Sequence, residues 1–135
     1  KQMIELLQTK SIDLVCLAGF MRILGKKFIE AFSGKIINIH PSLLPAFPGL
    51  NVQEKALQHG VRFSGCTVHF VNEEVDGGAI ISQAVVPILD ADDTQSLSDR
   101  ILEQEHIIYP EAIRLIIEDR LGFSGRRVVR KTRGN

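Results

Sequence analysis

The hydrophobic positions of this 135-residue chain form several strand-like runs. Residues 12–19 (IDLVCLAG) and 35–39 (KIINI) are almost continuously apolar, which is typical of strands buried on both faces of a parallel sheet. Residues 78–88 (GAIISQAVVPI) predict a strand that ends at an edge or bend, because Pro87 has no amide donor. Residues 65–72 (GCTVHFVN) alternate, so their side chains should face opposite ways: Cys66, Val68 and Phe70 on one face, and Thr67, His69 and Val71 on the other.

Helical patterns lie between these strands. Apolar residues at positions 3, 4, 6 and 7 indicate the end of an amphipathic helix. Residues 26–32 predict a short helix that ends at Gly34. A third helix is expected between Asn51, which is placed as an N-cap, and Gly60, which is placed as a C-cap.

The last third of the chain predicts one long helix and a short tail. Residues 90–119 begin with capping residues and carry an apolar stripe at helical spacing, and Pro110 should kink or divide this helix. The glycines at 122 and 125 favour a small hairpin. The basic run at 126–133 (RRVVRKTR) is interpreted as a solvated tail.

These elements predict one α/β domain over residues 1–135, with a sheet that is mostly parallel, at least one antiparallel strand, and helices on both faces. The chain opens at Lys1, inside the first predicted helix. We therefore expect that the first strands of the sheet precede this chain.

Composition and charge narrow the classes of function. The 16 basic and 16 acidic residues give zero formal net charge, which argues against a nucleic-acid partner. No apolar stretch is long enough to cross a membrane. Cys16 and Cys66 lie in apolar strands and are expected to be buried free thiols, and their spacing does not indicate a zinc site. We expect a cytoplasmic protein without a metal.

Asn38 and His40 are the first candidates for chemistry. They alternate with Ile39 at the carboxyl end of a predicted strand, so both should point to the same face. Ligands of open α/β sheets bind at this end of the strands. An amide that donates to a carbonyl oxygen, beside an imidazole that handles a proton, suits acyl transfer through a tetrahedral intermediate. The alternative is that Asn38 bonds to loop backbone and His40 packs beside proline.

Asp76 is the second candidate, in a loop between two predicted strands. It precedes Gly77 and Gly78, which would permit positive φ and a close backbone approach to a ligand. A carboxylate here would orient an imidazole and stabilise its charged form. The same three residues are also an ordinary turn signal. Ser42 lies in a loop with three prolines, lacks the context of a catalytic serine and is expected to bond to backbone.

Four motifs in the same order carry a resemblance to a known family: AGFMRIL, NIHPSLLPAFPG, GCTVHFVNEEVDGGAIISQ and EQEHIIYPEAIRLI. Together they resemble the phosphoribosylglycinamide formyltransferases, folate-dependent enzymes of purine biosynthesis, over residues 12–117. The resemblance implies an open Rossmann-like sheet. It also implies transfer of a formyl group from 10-formyltetrahydrofolate to the amine of glycinamide ribonucleotide, without a metal.

The resemblance assigns roles to individual residues. The catalytic residues of the family match Asn38, which would bind the formyl oxygen, His40, which would transfer protons, and Asp76, which would support the imidazole. The nucleotide substrate would contact Leu102, Glu103, Gln104 and Glu105. The folate pocket of the family, besides Asn38, matches Met21, Arg22, Ile23, Leu24, Asn72, Glu73, Glu74, Val75 and Asp76.

One part of the family pattern has no match. The family begins with a strand and a loop that binds the substrate phosphate, so this chain would be the catalytic half of the domain. We expect a monomer or homodimer, with a complementing N-terminal segment as a further partner. Alternatives are a 10-formyltetrahydrofolate hydrolase, with water as acceptor, and a non-catalytic fragment that needs another chain. A methionyl-tRNA formyltransferase is disfavoured by PAFPGLN after the Ser-Leu-Leu-Pro motif and by the zero net charge.

Overall fold

The computed structural model describes residues 2–9, 13–18, 25–74 and 76–131. The elements lie close to the predicted ones. In chain order they are α1 (Gln2–Thr9), β1 (Val15–Ala18), α2 (Lys26–Ala31), β2 (Ile36–His40), α3 (Val52–His59), β3 (Phe63–Phe70), β4 (Ile80–Pro87), α4 (Thr94–Ile117), β5 (Leu121–Ser124) and β6 (Arg127–Arg130).

The first four strands form one mixed sheet in the order β1-β2-β3-β4, which confirms the predicted α/β fold. β1 and β2 are parallel, whereas β2 with β3 and β3 with β4 are antiparallel. Within this four-stranded sheet one of the three described pairings is therefore parallel, whereas the sequence predicted a mostly parallel sheet. β3 runs antiparallel to β2, and Thr67 of β3 pairs with His40, the last residue of β2.

Helices cover both faces of this sheet, as predicted. β2 divides its side chains between them: Ile37 and Ile39 pack on the α4 face, and Ile36 packs on the face of α1 and α2. Leu97 and Ile101 of α4 are fully buried, and burial of each contributes about 2–3 kcal/mol. The larger core cluster comprises Ile37, Ile39, Cys66, Val68, Val86, Leu97, Ile101, Ile108 and Ala112.

Helix α4 is capped as its sequence indicates. The Asp93 carboxylate accepts from the Ser96 amide at 2.8 Å, and the Ser96 hydroxyl accepts from the Asp93 amide, which completes a capping box. Arg100 donates to both carboxylate oxygens of Asp92, and this lowers the pKa of Asp92 well below its usual range. Of the two effects predicted for Pro110, division of the helix is wrong, because α4 continues through it to Ile117, and a kink stays a prediction.

Helix α3 forms as predicted, but its first cap is different. Gly60 closes the helix with φ of 82°, a conformation that glycine adopts without strain. Asn51 has φ of 57° and ψ of 38°, and its side chain makes no capping hydrogen bond. An N-cap needs extended backbone to aim its side chain at the next amides, so the left-handed conformation excludes Asn51 from that role.

The tail and one cysteine also differ from their predictions. The predicted hairpin is confirmed, but it takes in much of the basic run, because Arg127–Arg130 form β6 and pair with β5. Cys66 is buried, and burial raises the pKa of its thiol to about 12. Cys16, by contrast, is exposed, so its predicted burial is wrong; it lies on β1, an edge strand of the described sheet. No helix among the described residues is both long and apolar enough for a membrane span.

Candidate active site

Strand β2 carries both Asn38 and His40 to one face of the sheet. Because Ile37 and Ile39 point to the α4 face, the polar residues between and after them point to the opposite face. There Asn38 pairs with His69 of β3, and His40 pairs with Thr67. The strand therefore brings the two predicted residues together, and β3 adds two polar residues that face them.

The proline loop after β2 is held by side chains of the neighbouring strands. The Thr67 hydroxyl donates to the Ser42 carbonyl at 2.7 Å and accepts from the Leu44 amide at 3.1 Å. Gln83 of β4 donates to the Leu44 carbonyl and to the Thr67 hydroxyl. Ser42 is fully buried and donates to backbone carbonyls of the loop, as predicted. This network fixes the segment that follows His40.

His40 lies between the proline loop and Asp76. Its Nε2 lies 2.8 Å from the carbonyl oxygen of Phe47, so Nε2 carries a hydrogen and donates it. Its Nδ1 lies 3.6 Å from Oδ1 of Asp76, and both side chains are at least nine-tenths buried. With Nε2 protonated, the neutral ring presents a lone pair to the carboxylate, and the charged ring presents an N–H. The pair is thus arranged to stabilise a proton on Nδ1.

The Asp76 loop reaches this position through unusual backbone. Asp76 itself has φ of 52°, in the left-handed region, and its Oδ2 accepts from the Gly49 amide at 2.7 Å. Gly77 and Gly78 do not take positive φ, so that part of the prediction is wrong, whereas a close approach to a ligand stays a prediction. A Cβ on Gly78 would lie 1.6 Å from the carbonyl oxygen of Phe70, so backbone packing requires a glycine at this position.

His69 is a third member of the cluster, and the sequence analysis assigned it only to the same strand face as Thr67 and Val71. Its Nδ1 donates to the Phe70 carbonyl at 3.0 Å, so Nε2 of the neutral ring is an acceptor. That Nε2 lies 3.8 Å from Oδ1 of Asp76. Burial lowers the pKa of His69, although the Phe70 carbonyl and Asp76 act in the opposite direction.

Two buried polar atoms of the site have no hydrogen-bond partner among the described residues, namely Asn38 Oδ1 and His69 Nε2. They belong to residues that pair directly across β2 and β3. Buried polar atoms are normally hydrogen-bonded, so these two atoms are available for hydrogen bonds to further polar groups. No set of three His, Cys, Asp or Glu side chains within the described part of the chain is arranged to hold a metal ion.

A cavity of about 330 Å³ lies on the α4 side of β2. Leu102 and Glu105 line it, together with Ile39, so two of the four predicted nucleotide-binding residues lie there. Burial raises the pKa of Glu105, an effect that His106 partly offsets. Glu103 is exposed on the same helix and does not line the cavity, nor does Gln104. No hydrogen bond or ion pair between described residues connects this segment to His40 or Asp76.

The predicted folate residues are only partly described. Asn72, Glu73 and Glu74 are exposed in the β3–β4 loop, and the Asn72 side chain accepts from the Glu74 amide at 2.9 Å. The remaining predicted folate residues lie outside the described residues: Met21, Arg22, Ile23, Leu24 and Val75.

Several residues that shape the site were not singled out from the sequence. Thr67 and His69 alternate with apolar residues on β3, and an antiparallel pairing of β3 with β2 would have placed both beside Asn38 and His40. The backbone groups of Phe47 and Gly49, which bond to His40 and Asp76, carry no sequence signal at all.

Known proteins resemble this chain in sequence and in fold. The family model described as Formyl transferase matches residues 1–113. A trifunctional purine biosynthetic protein adenosine-3 of Drosophila melanogaster is 54% identical over 82% of this chain, which spans 8% of that protein. A phosphoribosylglycinamide formyltransferase of Haemophilus influenzae is 52% identical over 87% of this chain.

A solved structure gives the same result. The crystal structure of glycinamide ribonucleotide transformylase 1 from Symbiobacterium toebii is 56% identical in sequence, with a TM-score of 0.94 over 97% of this chain. The chain spans 62% of that structure and 55% of the Haemophilus protein, less than two thirds of each.

Proposed function

Since this chain belongs to the formyl transferase family, we propose that it transfers the formyl group of 10-formyltetrahydrofolate to the amine of glycinamide ribonucleotide, in de novo purine biosynthesis. The relatives named phosphoribosylglycinamide formyltransferase support this choice of reaction. The observation that carries it is the buried His40–Asp76 pair, with Asn38 on the same face of β2 as His40. A proton carrier beside a hydrogen-bond donor is what formyl transfer requires.

Asn38 is the residue that binds the reacting oxygen in this proposal. The formyl carbon becomes tetrahedral when the amine attacks, and its oxygen gains negative charge. The Asn38 amide nitrogen donates to that oxygen from a half-buried position on a strand, so little reorganisation is needed during the reaction. Donors of this type contribute about 3 kcal/mol to stabilisation of the transition state.

His40 and Asp76 handle the proton. The attacking amine must lose a proton, and the folate nitrogen that leaves must gain one. In the charged ring, with one hydrogen on Nδ1 facing Asp76, Nε2 leaves the Phe47 carbonyl, gives its proton to the departing folate nitrogen and takes one from the attacking amine. Asp76 faces the opposite nitrogen and stabilises the imidazolium while the ring carries two protons. The Gly49 amide keeps the Asp76 carboxylate in this orientation.

The two substrates are assigned to different surfaces. The β3–β4 loop, with Asn72, Glu73, Glu74 and Asp76, contacts the folate, as do Met21, Arg22, Ile23, Leu24 and Val75. The cavity beside α4 receives the ribose of the nucleotide, because Glu105 there offers a carboxylate to hydroxyl groups. Leu102 forms an apolar part of the cavity wall. Glu103 and Gln104 do not line the cavity and contact the nucleotide from outside it. The partners in this proposal are small molecules. The cytoplasmic location and the oligomeric state stay predictions.

The decisive experiment measures formyl transfer by the folate absorbance change, with and without glycinamide ribonucleotide. Turnover that needs the acceptor supports the proposal. Turnover without it indicates the hydrolase, and folate binding without turnover indicates a fragment that needs another chain. His40→Asn should lower kcat by at least about 100-fold. Lys55→Asn, exposed on α3, is the control and should keep full activity.

A further inference from the structure

We infer that the hairpin of β5 and β6 is a brace for the Asp76 loop, with Arg126 as a positioning residue for formyl transfer. This inference rests on the proposed function for its consequence in catalysis, but its structural part is independent of the reaction. It concerns a segment whose sequence indicated only a hairpin and a basic tail.

The first observation is a direct bond from the hairpin to the loop. A guanidinium nitrogen of Arg126 donates to the carbonyl oxygen of Gly77, the residue that follows Asp76. A hydrogen bond from a charged donor is roughly twice as strong as a neutral one. This bond fixes the peptide plane between Gly77 and Gly78, one peptide beyond Asp76, and so limits how far the backbone that carries the Asp76 side chain can move.

The second observation is a ring contact at the other end of the loop. Phe123 of β5 lies against Phe70, with ring centroids 5.5 Å apart and planes tilted by 45°. Phe70 is the last residue of β3, and its amide donates to the Ala79 carbonyl at 2.9 Å. Its own carbonyl packs against Gly78. The hairpin therefore contacts the loop both at its base and beside Asp76.

The hairpin is itself attached to the rest of the domain. Arg130 forms an ion pair with Glu111 of α4 at 3.4 Å, and Lys131 forms one with Asp119 at the same distance. β6 also lies beside β4. These contacts hold the hairpin against α4 and the sheet, so the hairpin can support the loop.

Asp76 needs such support because its conformation is not an intrinsically favoured one. Its φ of 52° lies in a region that residues other than glycine rarely occupy, although Asp and Asn tolerate it better than most. The internal bond of the loop, from the Gly77 amide to the Glu74 carbonyl, is long at 3.3 Å. Oδ1 of Asp76 lies 3.6 Å from Nδ1 of His40, so a small displacement of Asp76 would already impair proton transfer.

The experiment compares Arg126→Ala with Arg127→Ala in the full chain. Both arginines are exposed, and Arg127 makes no side-chain hydrogen bond or ion pair with described residues, so it is a matched control. We expect Arg126→Ala to lower kcat about 10-fold, since displacement of a catalytic group by a fraction of an ångström has effects of this size. Arg127→Ala should leave kcat unchanged, and Arg126→Lys should restore part of the loss.

Further readouts distinguish a positioning role of Arg126 from a purely structural one. The brace requires that kcat falls while the melting temperature stays within about 2 °C of wild type, because surface substitutions change stability little. It also requires that the KM for glycinamide ribonucleotide stays near the wild-type value, because the brace acts on the catalytic step. An unchanged kcat, or an equal loss in Arg127→Ala, would overturn the assignment.

The brace is also tested without catalysis. Amide hydrogen exchange of residues 76–79 should accelerate in Arg126→Ala and stay at the wild-type rate in Arg127→Ala. If the wild-type chain transfers no formyl group, the proposed function fails but this measurement still decides the brace. Unchanged exchange in Arg126→Ala overturns the brace whatever the reaction is.

Discussion

The carboxylate of Asp76 accepts a 2.7 Å hydrogen bond from the amide of Gly49, so the β3–β4 loop is joined to the end of the proline loop. Each loop contributes one partner to His40: Asp76 faces its Nδ1, and the Phe47 carbonyl accepts from its Nε2. The position of the imidazole thus depends on two segments that are distant in the chain. Substitutions in either loop should therefore affect catalysis through the same residue.

Asp76→Asn should lower kcat for formyl transfer about 100- to 10,000-fold, because it removes the charge that stabilises a proton on His40. The fold should survive, since Asn also tolerates positive φ and its Oδ1 still accepts from the Gly49 amide. The measurement is kcat together with the melting temperature. Asp90→Asn, at an exposed ion pair with Arg62, is the control and should keep both values. Loss of folding in Asp76→Asn would contradict this explanation.

Asn38→Asp tests the amide as the donor to the formyl oxygen. The substitution keeps the shape but replaces an N–H donor by a charged acceptor, so we expect kcat to fall at least about 100- to 1,000-fold. The KM for each substrate is measured in parallel, because a loss confined to KM would assign Asn38 to ground-state binding instead. Asn51→Asp provides the control, since the Asn51 side chain makes no capping bond.

Gly78→Ala should destabilise the protein by about 2–3 kcal/mol or more, because the added Cβ would lie 1.6 Å from the Phe70 carbonyl oxygen and the backbone must move. Gly122→Ala makes the same chemical change where the nearest heavy atom is 3.8 Å away, so its unfolding free energy should change by less than about 1 kcal/mol. Urea denaturation measures both. Equal effects would mean that the close approach at Gly78 is relieved cheaply.

Glu105→Gln should raise the KM for glycinamide ribonucleotide about 10-fold or more, since a hydrogen bond to a charged group contributes about 1.5–3 kcal/mol. Because burial raises the pKa of Glu105, the wild-type KM should also increase as the pH falls and the carboxylate is neutralised. In Glu105→Gln this dependence should be weaker. Asp99→Asn, exposed on the same helix, is the control. A KM that stays at the wild-type value would exclude the cavity as the ribose site.

Much of the fold follows from local patterns that the sequence displays. The alternation of β3 placed Thr67 and His69 on the face opposite Cys66 and Val68, and the spacing of Asn38 and His40 placed both on one face. Such patterns are reliable because one strand residue determines the direction of the next. Pro110 does not divide α4, because the packing of α4 on the sheet outweighs the loss of one backbone hydrogen bond.

The finer geometry depends on contacts between distant segments and was not predictable. Positive φ was assigned to Gly77 and Gly78, but Asp76 takes it, since Gly78 is used for a close approach to Phe70. Asn51 looked like a cap, yet the turn before α3 requires it in the left-handed region. Arg126 looked like part of a solvated tail, and only the folded hairpin brings it to Gly77.

His69 provides a test that needs no substrate. Burial lowers its pKa, so the unfolded chain takes up a proton at a higher pH than the folded one does. Proton uptake by the unfolded state then favours unfolding as the pH falls below the usual histidine value of about 6.5. The contribution of His69 to stability is therefore fully retained above that pH and is lost progressively below it, towards the lowered pKa of the folded state.

His69→Asn removes this titration while an amide nitrogen still donates to the Phe70 carbonyl in place of Nδ1. The unfolding free energy of both proteins is measured in urea at pH 7.5 and pH 5. We expect the wild type to lose more stability between these two values than His69→Asn does. If His69→Asn loses as much stability as the wild type, the buried ring is protonated in the folded protein, and its contact with Asp76 is an ion pair.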